Sequence, residues 1–127
     1  MQNLNICIVG CGGYAYEVMN EIKGVPGIKF SFASRDISKA KSYQGQFDGA
    51  HSFGSYEEAA SHPEIDAMYI FSPHNLHLHH TTMALSSKKH VLVEKPIAKT
   101  LEEGKKMIAL ANNSGIHLMV AENYKVL

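Results

Sequence analysis

The sequence predicts an α/β domain built on a doubly wound, mostly parallel sheet of about six strands. Short apolar runs alternate along the 127 residues with longer segments whose apolar residues recur at helical spacing. A glycine-rich turn follows the first apolar run, where a helix then begins. Strands that alternate with helices form right-handed βαβ units, which build a parallel sheet. No linker, repeat or low-complexity segment interrupts the pattern, so we expect residues 1–127 to form a single domain.

The first half of the chain contains strands and helices in strict alternation. Continuous apolar runs predict buried strands, and Ser55 with Glu58 has the spacing of a capping box at a helix start. The predicted elements are strand 4–10, helix 14–24, strand 28–34, helix 36–47 entered at Asp36 or Ser38, a short strand 51–53 and helix 55–61.

The second half continues this alternation. Apolar runs predict strands at 65–71, 90–96 and 116–124. A histidine-rich segment follows the first of these strands and runs into a helical stretch at 81–87. Thr100 and Glu103 form a second capping-box match, and the helix they begin ends near Asn113 and Gly115.

Composition and charge exclude several classes of protein. Twelve basic and twelve acidic residues cancel, which leaves no electrostatic footprint for nucleic acid or for a membrane surface. No apolar run approaches the ~20 residues that span a bilayer, and the amino terminus lacks the charged flank of a secretory signal. Cys7 and Cys11 are too few for a disulfide framework or a four-ligand zinc site. A cytoplasmic location is the simplest expectation.

The turn after the first strand matches the pattern G-x-G-x-x-[GA], with alanine in the last position. Its first glycine makes a tight turn, its second lets the backbone approach a pyrophosphate, and the alanine lets helix pack closely on strand. Unpaired amides at the helix start then face the anion. This placement between strand and helix predicts dinucleotide binding rather than a merely structural turn. The residues expected at the cofactor are Gly10, Cys11, Gly12, Gly13, Tyr14 and Ala15.

The end of the second strand indicates which dinucleotide binds. An acid about 20 residues beyond the turn would hold the ribose 2′-hydroxyl of NAD, but Ser34 and Arg35 occupy this place. A hydroxyl and a guanidinium favour a 2′-phosphate. Asp36 would restore an NAD-type acid after a shift of one or two positions, although it also suits the N-cap of the next helix. NADP is therefore the preferred cofactor and NAD the second choice.

A family resemblance becomes specific at Glu94-Lys95-Pro96, preceded by the stretch KKHV. This triplet at a strand end resembles the signature of the Gfo/Idh/MocA oxidoreductases, and the likeness extends over the glycine-rich turn, SYEEAASHPEIDAMYIFSP, HNLHLHHTTMAL and AENY. It implies a Rossmann domain that binds NAD(P), with Ser34 and Arg35 at the adenosine 2′ position. The residues that it implies near the nicotinamide are Ser72, Pro73, Asn75, His77, Glu94, Lys95 and Asn123.

The same resemblance implies a catalytic role for Lys95. Hydride transfer between a nicotinamide and a carbonyl or alcohol needs a proton donor or acceptor, or a cation at the oxygen. A lysine in a partly dry pocket supplies either, because desolvation lowers its pKa. The alternative is a solvated lysine at the strand end, paired with Glu94.

Members of that family are considerably longer, and their second, α+β domain has no counterpart in these residues. We therefore expect an NADP(H)-binding domain of an oxidoreductase that acts on a sugar, polyol or similar carbonyl or alcohol substrate. Alone it should bind NADP(H) weakly, turn over no small-molecule substrate at a useful rate, and self-associate. The alternative is a stand-alone, non-catalytic dinucleotide-binding or redox-sensing module. The identity of the substrate does not follow from these residues.

The histidine-rich segment raises a further alternative, a metal-binding protein. No two histidines in HNLHLHH lie four residues apart, and only His77 and His80 have a usable helical spacing. Since no acidic residue lies between Asp66 and Glu94, we expect no metal there. His79 and His80 should lie along the first turns of a helix as solvated or packed side chains, which leaves His77 as the one histidine of the cofactor pocket.

Overall fold

The computed structural model describes residues 4–72, 76–94 and 118–121. Strands and helices alternate through these residues as the sequence predicts. The strands are β1 (Leu4–Val9), β2 (Ile28–Ala33), β3 (Ser52–Phe53), β4 (Ala67–Ile70), β5 (His90–Glu94) and β6 (Leu118–Ala121). The helices are α1 (Gly13–Ile22), α2 (Ile37–Gln46), α3 (Tyr56–Ser61) and α4 (His77–Ser86).

All six strands belong to one parallel sheet in the order β3-β2-β1-β4-β5-β6. The chain leaves β1 towards β2 and β3, then crosses back to β4 on the other side of β1. The carboxyl ends of β1 and β4 therefore flank a topological switch point, where open α/β sheets bind their ligands. The expected doubly wound parallel sheet is confirmed.

The sheet is buried on both faces, because successive side chains of a strand point to opposite sides. Cys7 and Val9 of β1 pack in one core cluster with residues of α3 and α4. Ile8, between them, packs in a second cluster with Ala15 and Met19 of α1. A strand covered on both faces needs apolar residues on both, which explains why the run of β1 is apolar apart from Asn5.

An aromatic cluster joins α1 and α2 to β2. Tyr16, Tyr43 and Phe47 make edge-to-face pairs with ring centroids between 5.5 Å and 5.9 Å apart. Phe32 of β2 stacks on Phe47 at 6.0 Å. Such pairs stabilise by about 0.5–1.5 kcal/mol each beyond the burial of their area. The cluster fixes the position of α2 against the start of α1.

Two helices begin at the predicted caps. Asp36 is the N-cap of α2, and its side chain accepts a hydrogen bond from the Ser38 amide. Ser55 is the N-cap of α3, and its Oγ accepts from the Glu58 amide at 3.2 Å. Each cap satisfies an amide that has no partner inside its helix.

Part of the predicted pattern lies outside the described residues. This holds for the helix expected between residues 100 and 115, whereas the last predicted strand is present as β6. Among the helices that the structure describes, none has the length and hydropathy required to cross a membrane.

Candidate functional site

A cleft of about 430 Å³ opens at the carboxyl edge of the sheet, over the switch point between β1 and β4. The turn after β1, the loop after β2 and the segment after β4 all contribute to its walls. Among its lining residues are six that the sequence predicts at the cofactor, namely Gly10, Cys11, Gly12, Ser34, Arg35 and Ser72. Segments far apart in the chain thus meet at the predicted place.

Gly10 makes the sharp turn that ends β1. Its φ is 97°, a conformation that residues with side chains rarely adopt. A Cβ at this position would lie 3.1 Å from the backbone nitrogen of Ser72 and 3.2 Å from the carbonyl carbon of Phe71. The Gly10 amide donates to the Ala33 carbonyl at 2.9 Å. The fold itself therefore requires a glycine here.

The start of α1 has the features of an anion site. Gly12 is its N-cap and supplies no capping side chain, and a Cβ at Gly12 or Gly13 would meet nothing within 4 Å. The first amides of a helix lack partners inside the helix, so the open space beside these glycines suits a phosphate. The Tyr43 hydroxyl donates to the Gly12 carbonyl at 2.9 Å and holds the turn from α2.

Cys11 lines the cleft as a packed, unreactive side chain. It is buried, and its Sγ donates to the Ala33 carbonyl at 3.6 Å. Burial raises the pKa of the Cys11 thiol to about 11, although the nearby Lys39 ammonium lowers it. A thiol with that pKa stays protonated at neutral pH and is a poor nucleophile. The structure thus assigns no nucleophilic role to this cysteine.

Two cationic side chains stand where β2 ends. Arg35 and Lys39 are both exposed and both line the cleft. Ser34, beside them, is 7% exposed, and its Oγ accepts from the Asp36 amide at 3.2 Å. This group offers a hydroxyl and two positive charges to whatever occupies this end of the cleft.

Asp36 also lines the cleft, but its carboxylate is engaged by α2. Its Oδ1 accepts from the Ser38 amide at 3.0 Å and from the Ser38 hydroxyl at 2.5 Å. These two bonds, the hydroxyl bond first, hold the pKa of the Asp36 carboxyl below its ordinary value. The N-cap interpretation of Asp36 is therefore confirmed.

A buried polar pair supports the floor of the cleft after β4. The Ser72 Oγ and the His80 Nδ1 lie 2.6 Å apart, and the two residues are 3% and 4% exposed. The Tyr56 ring, which also lines the cleft, lies 4.4 Å from the His80 ring between centroids. His80 thus has a structural role, since it anchors Ser72 to α4.

The remaining predicted site residues lie in three different situations. Ala15 is 1% exposed and packs α1 on the sheet, whereas Tyr14 is 50% exposed with its ring edge-on to Phe71 at 5.8 Å. His77 is the first residue of α4 and Glu94 the last of β5, so both backbones border the carboxyl edge. Four predicted residues lie outside the described part of the chain, namely Pro73, Asn75, Lys95 and Asn123.

Sequence reasoning missed several residues of the cleft. Lys39 had a usable signal, because a second cation within one helical turn of Arg35 falls on the same edge of the sheet. Tyr56 lines the cleft and Tyr43 holds its glycine turn. Neither had a signal in the sequence, since each reaches the site from a segment remote from that turn. His80 was expected to be packed or solvated, and only its contact with Ser72 reveals its role.

The fold and the cleft define a class of protein. A parallel sheet with this strand order, whose first turn is glycine-rich and opens the first helix, is the arrangement of dinucleotide-binding domains. The family model of the Gfo/Idh/MocA oxidoreductases, described as an oxidoreductase family with an NAD-binding Rossmann fold, matches residues 4–122. The chain belongs to this family, as the Glu-Lys-Pro signature indicates.

Curated relatives include enzymes that act on diols and sugars. Trans-1,2-dihydrobenzene-1,2-diol dehydrogenase of Danio rerio is 38% identical over 89 residues, which are 70% of this chain and 27% of that protein. The 1,5-anhydro-D-fructose reductase of Ensifer adhaerens is 32% identical over 112 residues, 87% of this chain and 34% of that protein. The chain therefore spans about a third or less of the length of these relatives.

Solved structures show the same arrangement. A 3-ketoreductase from Actinomadura kijaniata, in complex with NADP and TDP-benzene, superposes with a TM-score of 0.89 at 26% identity, over 94% of this chain and 37% of that one. An NAD binding oxidoreductase from Klebsiella pneumoniae superposes with a TM-score of 0.81 at 25% identity, over 94% of this chain and 34% of that one.

Proposed function

We propose that this chain is the NADP(H)-binding domain of an oxidoreductase that transfers hydride between the nicotinamide and a carbonyl or alcohol substrate. The cation pair at the end of β2, Arg35 and Lys39, carries the choice of NADP over NAD. The related reductase solved with NADP supports this choice. In the proposal, residues 1–127 act as one dinucleotide-binding unit beside a second, substrate-binding domain, in keeping with the share of the relatives that the chain spans.

The residues at the start of α1 fit a pyrophosphate. Gly12 and Gly13 leave space where a side chain would otherwise stand, and the first amides of the helix supply donors to an anion. The macrodipole of this helix adds a partial positive charge at the same end. In the proposal, Gly10 and Ala15 shape this turn while Cys11, Gly13 and Tyr14 border the bound phosphates.

The adenosine end fits a 2′-phosphate. Ser34 offers a hydroxyl, Arg35 a planar fork of donors and Lys39 a point charge. Asp36 is the one carboxylate among the described lining residues, and Ser38 already holds its Oδ1. Two cations against one engaged carboxylate leave this end of the cleft positive, which favours a dianionic phosphate over a free ribose hydroxyl.

When bound, the reduced nicotinamide supplies a hydride to the substrate carbonyl. In the proposal, the Lys95 Nζ holds the proton that the carbonyl oxygen receives, and Glu94 closes the same end of the pocket. Ser72, anchored by His80, would orient the ring from β4. The other residues proposed to border the nicotinamide are Pro73, Asn75, His77 and Asn123.

The class of substrate is proposed from the relatives. One relative is named for a cyclic diol and another for an anhydrosugar. Both compounds carry neighbouring hydroxyl or carbonyl groups on a ring. We therefore propose a sugar, polyol or similar ring alcohol as the small-molecule substrate.

The cofactor assignment is tested by titrating NADPH and NADH into the wild-type chain and into Arg35→Ala, followed by cofactor fluorescence. A charged hydrogen bond contributes about 1.5–3 kcal/mol, so the variant should lose about tenfold or more in NADPH affinity. Its NADH affinity should change less than about twofold, because NADH has no 2′-phosphate to bind.

Lys41→Ala is the matched control, since Lys41 is an exposed cation on α2 that does not line the cleft. It removes the same charge and should leave both affinities nearly unchanged. Equal losses of NADPH and NADH in Arg35→Ala would show that the 2′-phosphate does not bind at Arg35.

A further inference from the structure

Three metal-ligating side chains converge at the edge of the sheet opposite the cleft. His51 immediately precedes β3, while His62 and Glu64 lie between α3 and β4. Each offers one ligand atom, and these atoms all lie within 4.8 Å of one another. Because the strands are parallel, their amino ends gather on the side away from the dinucleotide cleft.

We propose that His51, His62 and Glu64 form a binding site for a divalent transition metal, with Zn²⁺ as the preferred ion. Two imidazole nitrogens and one carboxylate oxygen are the ligands of Zn²⁺ sites that keep a fourth position for water. Imidazole ligands also favour Zn²⁺, Ni²⁺ and Cu²⁺ over Mg²⁺ and Ca²⁺, which take oxygen. The site is separate from the proposed function and independent of it.

One pair of ligand atoms already has the spacing of a tetrahedral site, and the His62 ligand atom lies within 4.8 Å of both. Nitrogen and oxygen atoms at about 2.0–2.1 Å from a tetrahedral metal lie about 3.3 Å from each other. The His51 Nε2 and the Glu64 Oε2 are 3.2 Å apart. The His51 nitrogen and the Glu64 oxygen are thus as far apart as two ligands of one tetrahedral ion. The His51 ring lies 4.7 Å from the His62 ring between centroids.

The His62 Nδ1 is already engaged in a hydrogen bond, which an incoming metal has to compete with. It accepts this hydrogen bond from the Glu64 amide at 3.2 Å, which selects the tautomer with the proton on Nε2. An ion that binds the ring must displace either this hydrogen bond at Nδ1 or the proton at Nε2. The exchange lowers the affinity, so we expect a micromolar site rather than the much tighter binding of a structural zinc site.

Lys89 holds the backbone on which two of the ligands stand. Its Nζ donates to the His62 carbonyl at 2.7 Å and to the Ile65 carbonyl at 2.6 Å, and the residue is 9% exposed. The turn that carries His62 and Glu64 is therefore pinned at both ends. A pinned turn loses little conformational freedom when an ion binds.

The ligand side chains remain open to solvent. The His51 side chain is 32% exposed and that of Glu64 66%. An ion can therefore enter without unfolding the sheet, and water can complete its coordination. Removal of these ligands should leave the fold and the opposite cleft intact.

The test is a calorimetric titration of the chelator-treated chain with ZnCl₂, followed by a titration with Co²⁺ read by its visible absorption. One Zn²⁺ per chain is expected in the wild type. His51→Gln and Glu64→Gln should each weaken binding at least about tenfold, while an unchanged circular dichroism spectrum shows that they fold. Excess Mg²⁺ should not displace the ion.

His79→Gln is the matched control, because His79 is an exposed histidine of α4 outside this group. It should bind Zn²⁺ as the wild type does. Binding that survives in His51→Gln and Glu64→Gln would overturn the proposal, and binding that is lost in His79→Gln would place the ion in the histidine-rich segment instead. Failure of the wild type to bind Zn²⁺ would also overturn the proposal and leave only the contact between His51 and Glu64.

Discussion

At the scale of single residues, Gly10 and Gly12 satisfy one sequence pattern for opposite physical reasons. Gly10 has a φ of 97° and lies against the backbone of Phe71 and Ser72. Gly12 has an ordinary φ of −100°, and a Cβ there would meet nothing. The fold therefore needs the first glycine, whereas it places no such demand on the second.

This contrast predicts that Gly12→Ser separates folding from binding. Serine is at least as good an N-cap as glycine, so the free energy of unfolding should stay unchanged or rise by roughly a few tenths of a kcal/mol. The new hydroxyl would bond to the first amides of α1 and fill the space proposed for the pyrophosphate. NADPH affinity should therefore fall at least about tenfold. Urea unfolding and a fluorescence titration measure the two effects.

Gly10→Ala supplies the opposite case. An alanine at position 10 would have to adopt the left-handed φ and press its Cβ against the backbone of Phe71 and Ser72. The two effects together should lower the free energy of unfolding by about 2–4 kcal/mol. Gly24→Ala is the control, because Gly24 is exposed and a Cβ there meets nothing within 4 Å. A Gly12→Ser variant as unstable as Gly10→Ala would show that both glycines serve the fold, and would remove the structural support for a phosphate at α1.

At the same scale, the sequence could reveal only what is local. Ser34 and Arg35 were found because their distance from the glycine turn along the chain is itself the signal. His80 reaches Ser72 across 8 residues, and the Tyr43 hydroxyl reaches Gly12 across 31. Such contacts depend on how α4 and α2 pack on the sheet. Packing of that kind is decided by tertiary structure, so no pattern in the sequence shows it.

At the scale of elements, the end of α4 forms without the residue type that usually indicates a helix end. The α4 helix ends at Ser86 in a Schellman motif. The Lys88 amide donates to the Leu85 carbonyl and the Lys89 amide to the Ala84 carbonyl, both at 3.0 Å. Lys88 has a φ of 60°, where glycine is usual. The sequence lacks the glycine that would have indicated this end.

Lys88→Gly should therefore stabilise the domain. A left-handed residue with a side chain costs about 1–2 kcal/mol, which the greater backbone entropy of glycine in the unfolded chain partly offsets. The free energy of unfolding, measured by urea unfolding, should rise by about 0.5–1 kcal/mol. Lys88→Ala is the control, since it removes the same charge but keeps the strain. A gain of equal size in Lys88→Ala would assign the effect to charge rather than to backbone conformation.

At the scale of the whole molecule, the alternation of strands and helices was enough to predict a doubly wound parallel sheet of about six strands. Right-handed crossovers leave few ways to order parallel strands, and a glycine turn after β1 indicates that the switch point lies beside it. The switch point then brings residues 10–12, 34–35 and 72 to one edge of the sheet. By contrast, the group of His51, His62 and Glu64 could not be predicted. Its members meet only because the turn before β4 folds back beside β3.

As a whole, this chain should bind NADPH without using it in a reaction. NADPH at about 100 times its Kd should raise the unfolding free energy by about 2.7 kcal/mol, since it binds the folded state alone. We nevertheless expect no useful turnover with sugars, polyols or ring diols. The chain spans about a third or less of its relatives, and Gly12, Gly13 and Arg35 are exposed to solvent.

Hydride transfer needs a substrate held in register and water kept out, and both call for a wall over these exposed residues. The measurement is NADPH absorbance over time with each substrate class, alongside the urea unfolding. Gly12→Ser is the control, because it should lose the stabilisation by NADPH and so show that the effect comes from the cleft. Steady consumption of NADPH by the wild type with any of these substrates would contradict the expectation, and would mean that this chain encloses its substrate unaided.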